Sequence, residues 1–139
     1  MISLPIPLWH KKIENINLEL QPDKLIDKYV ANGFHIYKST WEELRKVLDG
    51  NFAKLYSNGK LYTRNQEKEK IEKIIAYWNQ GLHLIPPMLI HLENNTLVPA
   101  DGKHRLKVAS IANPEKIYFI LFDTDLQYIN SYFQPKLVD

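Results

Sequence analysis

The order of apolar and polar positions divides the chain into short elements separated by glycine, proline and asparagine. Residues 16–20 (Ile-Asn-Leu-Glu-Leu) alternate with the period of a half-buried strand. Pro22 opens a helix over 23–31, whose stripe is Leu25, Ile26, Tyr29 and Val30 and whose stop is Gly33. Residues 34–37 form a short strand. Ser39 or Thr40 then caps a helix running to about Leu48, with Thr40 and Glu43 at capping-box spacing and Asp49-Gly50 as terminator. Residues 52–56 and 60–63 flank Asn58-Gly59, which predicts a hairpin because Asn-Gly accepts the positive φ of tight turns.

The second half is patterned more clearly. Ile71, Ile74, Ile75 and Trp78 recur at helical spacing and predict a helix over 65–80, with Gly81 in the left-handed position after it. The Glu-Lys-Glu-Lys run in its first turns reads as a solvated face. Pro86-Pro87 forbids helix and leads into a buried strand over 88–92. Residues 93–95 turn the chain and 96–100 return it as a second strand. Asp101-Gly102 breaks that strand, and 103–112 follows as a helix closed by Asn113-Pro114. Residues 117–122 are almost wholly apolar, as in a central strand. Asp123 or Thr124 caps a last helix to about Phe133. Short strands mixed with helices make the fold class α+β.

Composition narrows the picture. A chain of 139 residues with 45% apolar and 24% charged positions suits one folded domain. A net charge of +2 is too mild to indicate nucleic acid without a local patch. The absence of cysteine removes disulfides, thiolate metal sites and a cysteine nucleophile, and fits a reducing, cytoplasmic setting. The first eight residues are apolar but lack a basic leader and carry two prolines. They read as an extended segment along an edge of the fold, neither signal peptide nor membrane span. Asn94-Asn95-Thr96 reads as a turn.

The candidate chemistry lies at Asp101-Gly102-Lys103-His104-Arg105. A helix starting near Lys103 points unpaired amides and a positive dipole end at whatever precedes it, a ready seat for phosphate. Gly102 permits close approach of an anion to the backbone, and Arg105 offers a fork matched to phosphate oxygens. His104 can donate a hydrogen bond or move a proton near neutrality. Asp101 is placed to cap the helix, hold a magnesium ion or orient His104. His10, His35, His83 and His91 lack metal-ligand spacing and read as satisfied structural histidines. Trp41 and Trp78 read as core. Trp9 with His10, Lys11 and Lys12 forms a candidate basic, aromatic patch for nucleic acid.

From about residue 62 to 122 the chain resembles the ParB/sulfiredoxin-like fold. The shared order is Thr63-Arg64, a helix ending at Gly81-Leu82, Ile85-Pro86-Pro87 entering a strand, a hairpin, the Asp-Gly-x-His-Arg box, a helix and an apolar strand. The resemblance implies a small mixed sheet flanked by helices over 62–122. Residues 1–61 would then be an unmatched N-terminal α/β extension, and 123–139 a C-terminal helix and tail. It implies a nucleoside phosphate, ATP or CTP, with Mg2+, seated on the helix after the box. It maps Gly102, His104 and Arg105 onto cofactor-binding positions, with Arg64 from the preceding element, and Lys103 adds positive charge beside them as a further cofactor-binding candidate. Sulfiredoxins carry their reactive cysteine where this chain has Lys103, so that chemistry is excluded. The box also departs from the Gly-Glu-Arg-Arg of ParB clamps, and the chain ends before a helix-turn-helix domain. The free-serine kinase-like branch keeps Asp-Gly-x-His-Arg and matches best.

The resulting expectation is nucleotide hydrolysis or phosphoryl transfer to a small hydroxyl-bearing substrate, dependent on magnesium. Asp101, His104 and Glu67 are the candidate catalytic residues, and Asp101 is the metal ligand. The alternatives are a non-catalytic, nucleotide-responsive regulatory module and a DNA-binding or nuclease protein. DNA is the less favoured partner, and no membrane partner is expected.

Overall fold

The computed structural model describes residues 4–16, 32–56, 60–61 and 65–138, without the side chains of Leu55 and Tyr56. Five strands form one mixed sheet: β1 (Phe34–Ser39), β2 (Met88–Leu92), β3 (Thr96–Asp101), β4 (Ile117–Phe122) and β5 (Lys136–Leu137). Their spatial order is β3-β2-β4-β1-β5. β2 and β3 form an antiparallel hairpin, β4 runs parallel to β2, and β1 is antiparallel to both β4 and β5. The described helices are α1 (Trp41–Arg45), α2 (Gly50–Tyr56), α3 (Asn65–Asn79), α4 (Lys103–Ala112) and α5 (Asp123–Ile129). The α+β class expected from the pattern is what the structure shows.

β4 organises the core. All six of its residues are buried, so both faces of this middle strand are covered. Alternation sends Phe119 and Tyr118 to opposite faces. Phe119 stacks on Phe133 beyond α5, whereas Tyr118 meets Lys11 of the N-terminal segment. The apolar core draws on residues from Trp9 to Phe133.

The N-terminal segment is extended, as expected, and is fixed by more than an edge contact. Leu84 donates its amide to Leu8 and accepts from His10, at 2.9 and 3.0 Å. Trp9 is 2% exposed and meets Trp78 edge to face, while the Trp78 indole N–H donates to the Leu8 carbonyl at 2.8 Å. Trp9 is therefore core, and the aromatic member of the supposed nucleic-acid patch is removed from the surface.

Several local expectations change. The helix capped by Thr40, whose hydroxyl accepts from the Glu43 amide at 3.1 Å, ends at Arg45 and not near Leu48. Leu97 donates to Val47 O, and Asp49 donates to Leu97 O, so residues 47–49 pair along the outer edge of β3. Asp49-Gly50 starts a helix where a stop was expected. The Asp49 side chain accepts from the Asn51 amide and its carbonyl from Ala53. Residues 52–56 are consequently helical, and the first arm of the expected hairpin is absent. Asn58-Gly59, the expected strand over 16–20 beyond Ile16, and the helix over 23–31 lie outside the described residues.

The last helix starts where expected but is not capped by Asp123 or Thr124, which are already helical. Asp123 instead pairs with His35 Nδ1 at 2.8 Å, and its amide donates to Gly33 O. The helix ends at Ile129, short of Phe133. β5 was not anticipated, because two residues carry no usable periodicity.

Candidate functional site

The box occupies the junction between β3 and α4. Asp101 is the last residue of β3, and Gly102 is the N-cap of α4 with φ 86° and ψ 19°. The first helical hydrogen bond runs from Leu106 N–H to Gly102 O at 2.9 Å, which places the amides of Lys103, His104 and Arg105 ahead of the helical ladder. α4 carries no acidic residue in its first turn and no side-chain cap. Asp101 is thus not the cap: the left-handed Gly102 takes that position and turns the Asp101 carboxylate elsewhere.

The reason for glycine at 102 also differs from the expected one. A Cβ there would stand 2.7 Å from Arg105 Nη2 and 2.8 Å from Pro87 Cα. Gly102 is buried, and the groups that approach its backbone closely are Pro87 and the Arg105 guanidinium. Pro87 is fixed in turn because its carbonyl accepts from Ile120 N–H at 2.8 Å. The central strand β4, through Pro87, therefore sets the shape of the turn.

Beside this turn lies a cleft of about 470 Å³, lined by Pro99, Ala100 and the whole box on one side. The other side comes from α3: Lys70, Lys73, Ile74 and Tyr77. These four recur at helical spacing and form one face of that helix. Three lysines, Arg105 and His104 thus line the cleft, against one carboxylate among the described lining residues, Asp101.

Arg105 reaches across the turn. Its side chain is 21% exposed and lies 3.7 Å from the Asp101 carboxylate, too long for a strong hydrogen bond. Its Nε is buried without a hydrogen-bond partner among the described residues. Burial lowers its pKa and Asp101 opposes this, yet a guanidinium remains charged. His104 is half-buried, and its pKa is lowered by desolvation and then by Lys103 and Lys70, with Glu67 opposing. A neutral imidazole at pH 7 is the consequence, able to accept a proton.

Glu67 does not line the cleft. Its charge acts on His104 and on Lys107, which is 1% exposed on α4 and whose pKa burial lowers. Asp101, Gly102, Lys103, His104 and Arg105 all line the cleft, whereas Arg64 lies outside the described residues. Lys70, Lys73 and Tyr77 are not among the expected site residues, since along the chain the charge run has the pattern of a solvated face. The signal was present as 70-73-74-77 spacing, but nothing local shows which face of a helix another element will approach.

The lining of the cleft is rich in cationic side chains and poor in metal ligands. Among the described residues no three His, Cys, Asp or Glu side chains cluster as metal ligands. Asp101 is the single carboxylate among the described residues that line the cleft and is turned toward Arg105, so magnesium here would rely on phosphate and water oxygens for its other ligands. His35 and His91 are satisfied as expected, by Asp123 and by the Tyr132 hydroxyl at 2.9 Å. No helix among the described residues is long and apolar enough to cross a membrane. Comparison with family models, curated proteins and solved structures gives no match to this chain.

Proposed function

We propose that this protein binds a nucleoside phosphate, ATP or CTP, with its phosphates at the start of α4. The observation that carries the reading is the cleft itself. The N-terminal turn of α4, with Lys103 and Arg105, and Lys70 and Lys73 of α3 line one space whose single carboxylate among the described lining residues is Asp101. Tyr77, 40% exposed at the rim, and Ile74 give it an apolar wall of the kind a base can lie against. The order of elements around the box supports the resemblance to the ParB/sulfiredoxin-like fold, which belongs to this proposal.

Binding is the better supported half of the reading. Phosphoryl transfer demands positioning and charge neutralisation, which the four cations supply. It also demands a proton acceptor near the incoming hydroxyl. His104, which lines the cleft, is the candidate for that role, and the charge of Glu67 would favour the imidazolium once formed. Magnesium, when bound, would neutralise phosphate charge beside Asp101. Hydrolysis or transfer to a small hydroxyl compound is therefore proposed second, after binding.

Calorimetry with mono-, di- and triphosphates of adenosine and cytidine, with and without magnesium, tests the binding. Saturable heat is expected. Lys73→Glu should weaken it by roughly tenfold or more, the scale of one lost charge-assisted contact. No heat with any of these compounds overturns the reading. A phosphate-release and hydroxyl-acceptor assay on a protein that does bind then separates an enzyme from a regulatory module.

A further inference from the structure

A second cleft, of about 580 Å³, opens where the N-terminal segment meets the loop after α3 and the α4–β4 junction. Its lining includes His10, Lys11 and Lys12 from the first segment, His83 from the loop, and Lys116 and Tyr118 at β4. No carboxylate is among its described lining residues. Glu14 and Glu115, adjacent in sequence to lining residues, do not enter it. In a chain with 18 basic and 16 acidic residues, such sorting is a local feature and not a reflection of overall charge.

The geometry points to a second anion site, for a small organic molecule that joins a phosphate or carboxylate to an apolar or planar body. Three lysines and two imidazoles supply the anion's partners. The His10 and His83 rings face each other at 6.0 Å between centroids, tilted by 33°. Lys11 Nζ lies 5.2 Å from the centre of the Tyr118 ring, so a cation is already held over the floor of the cleft. Ile6, Pro7 and Leu8 form an apolar wall for the body of the ligand. A divalent metal is the wrong occupant: two histidines give two ligands, and Lys11, Lys12 and Lys116 repel it. Asn113, the C-cap of α4, lines this cleft, whereas residues 102–105 at the other end of that helix line the phosphate cleft. The helical residues 106–112 separate the two linings, a rise of roughly 12 Å from Arg105 to Asn113, so a ligand the size of phenyl phosphate does not span them.

The test is an NMR titration of the full chain with phenyl phosphate and, separately, with phthalate. Shifts are expected at His10, His83, Lys116 and Tyr118. His10→Gln/His83→Gln should weaken binding several-fold. Lys116→Glu should weaken binding by about tenfold, while Lys73→Glu in the other cleft leaves it unchanged. If Lys116→Glu fails to fold, Lys12→Glu carries the same expectation. A response to one compound alone supports the site and assigns its anion. Absence of shifts at millimolar ligand overturns it, as do shifts confined to Gly102–Arg105 or tighter binding of zinc than of either anion.

Discussion

Gly102 shows how much one residue decides. Its positive φ and the 2.8 Å approach of Pro87 Cα leave no room for a side chain, and backbone cannot yield as a flexible side chain does. Gly102→Ala is expected to cost about 2 kcal/mol or more, from left-handed strain plus overpacking. Thermal unfolding should show a midpoint lower by roughly 5–10 °C, and an unchanged midpoint would refute the steric account. His104 gives a second test. Its folded pKa lies below its ordinary value, so the unfolded chain binds the proton more readily. Stability is then fully present above the unfolded pKa and declines as pH falls through the folded one. His104→Gln should flatten that part of the pH–stability curve. A bound phosphate should move the His104 NMR titration midpoint upward, and a midpoint indifferent to phosphate would speak against an anion beside it.

At the scale of elements, α1 depends on its cap and α3 on its face. The Thr40 hydroxyl is the partner of the Glu43 amide, so Thr40→Ala should cost about 1 kcal/mol. Thr40→Asn, which keeps an acceptor, should restore most of it, as chemical denaturation can measure. α3 buries Ile71 and Trp78 and turns Lys70, Lys73 and Tyr77 to the cleft. One helix therefore serves both core and site. Lys70→Glu should lower phosphate affinity without moving the melting temperature by more than a degree or two. Ile71→Ala, in contrast, should cost about 2–5 kcal/mol. A Lys70 variant that melted early would show that the lysine supports the fold and not the ligand.

For the molecule as a whole, the N-terminal segment is the piece whose importance is least apparent from its sequence. Trp9 fills space against Trp78, and Leu8 and His10 bridge Leu84. Trp9→Ala should cost about 3–5 kcal/mol and open the second cleft with it, because that cleft is built on the same segment. Circular dichroism melts of this variant beside His10→Gln would separate the two effects, since the imidazole lines the cleft but is no part of the core.

The sequence by itself determined the elements whose information is local. The α3 stripe with Gly81, the α4 bounds of Lys103–Ala112, the apolar run of β4 and the turn at Gly102 all follow from spacing and backbone restriction among neighbours. So does the gathering of Gly102, Lys103, His104 and Arg105, which share one turn. Tertiary structure decided whatever depends on a distant partner. Pairing with Leu97 ended α1 early, and the Trp78 pocket took Trp9 from the surface. The approach of Pro87 explained Gly102, and the packing of α3 against α4 brought Lys70 and Lys73 to the box. The physical reason is common to all four. Periodicity tells which face of an element is apolar, but only the packed chain determines which other element meets that face, and with which charges.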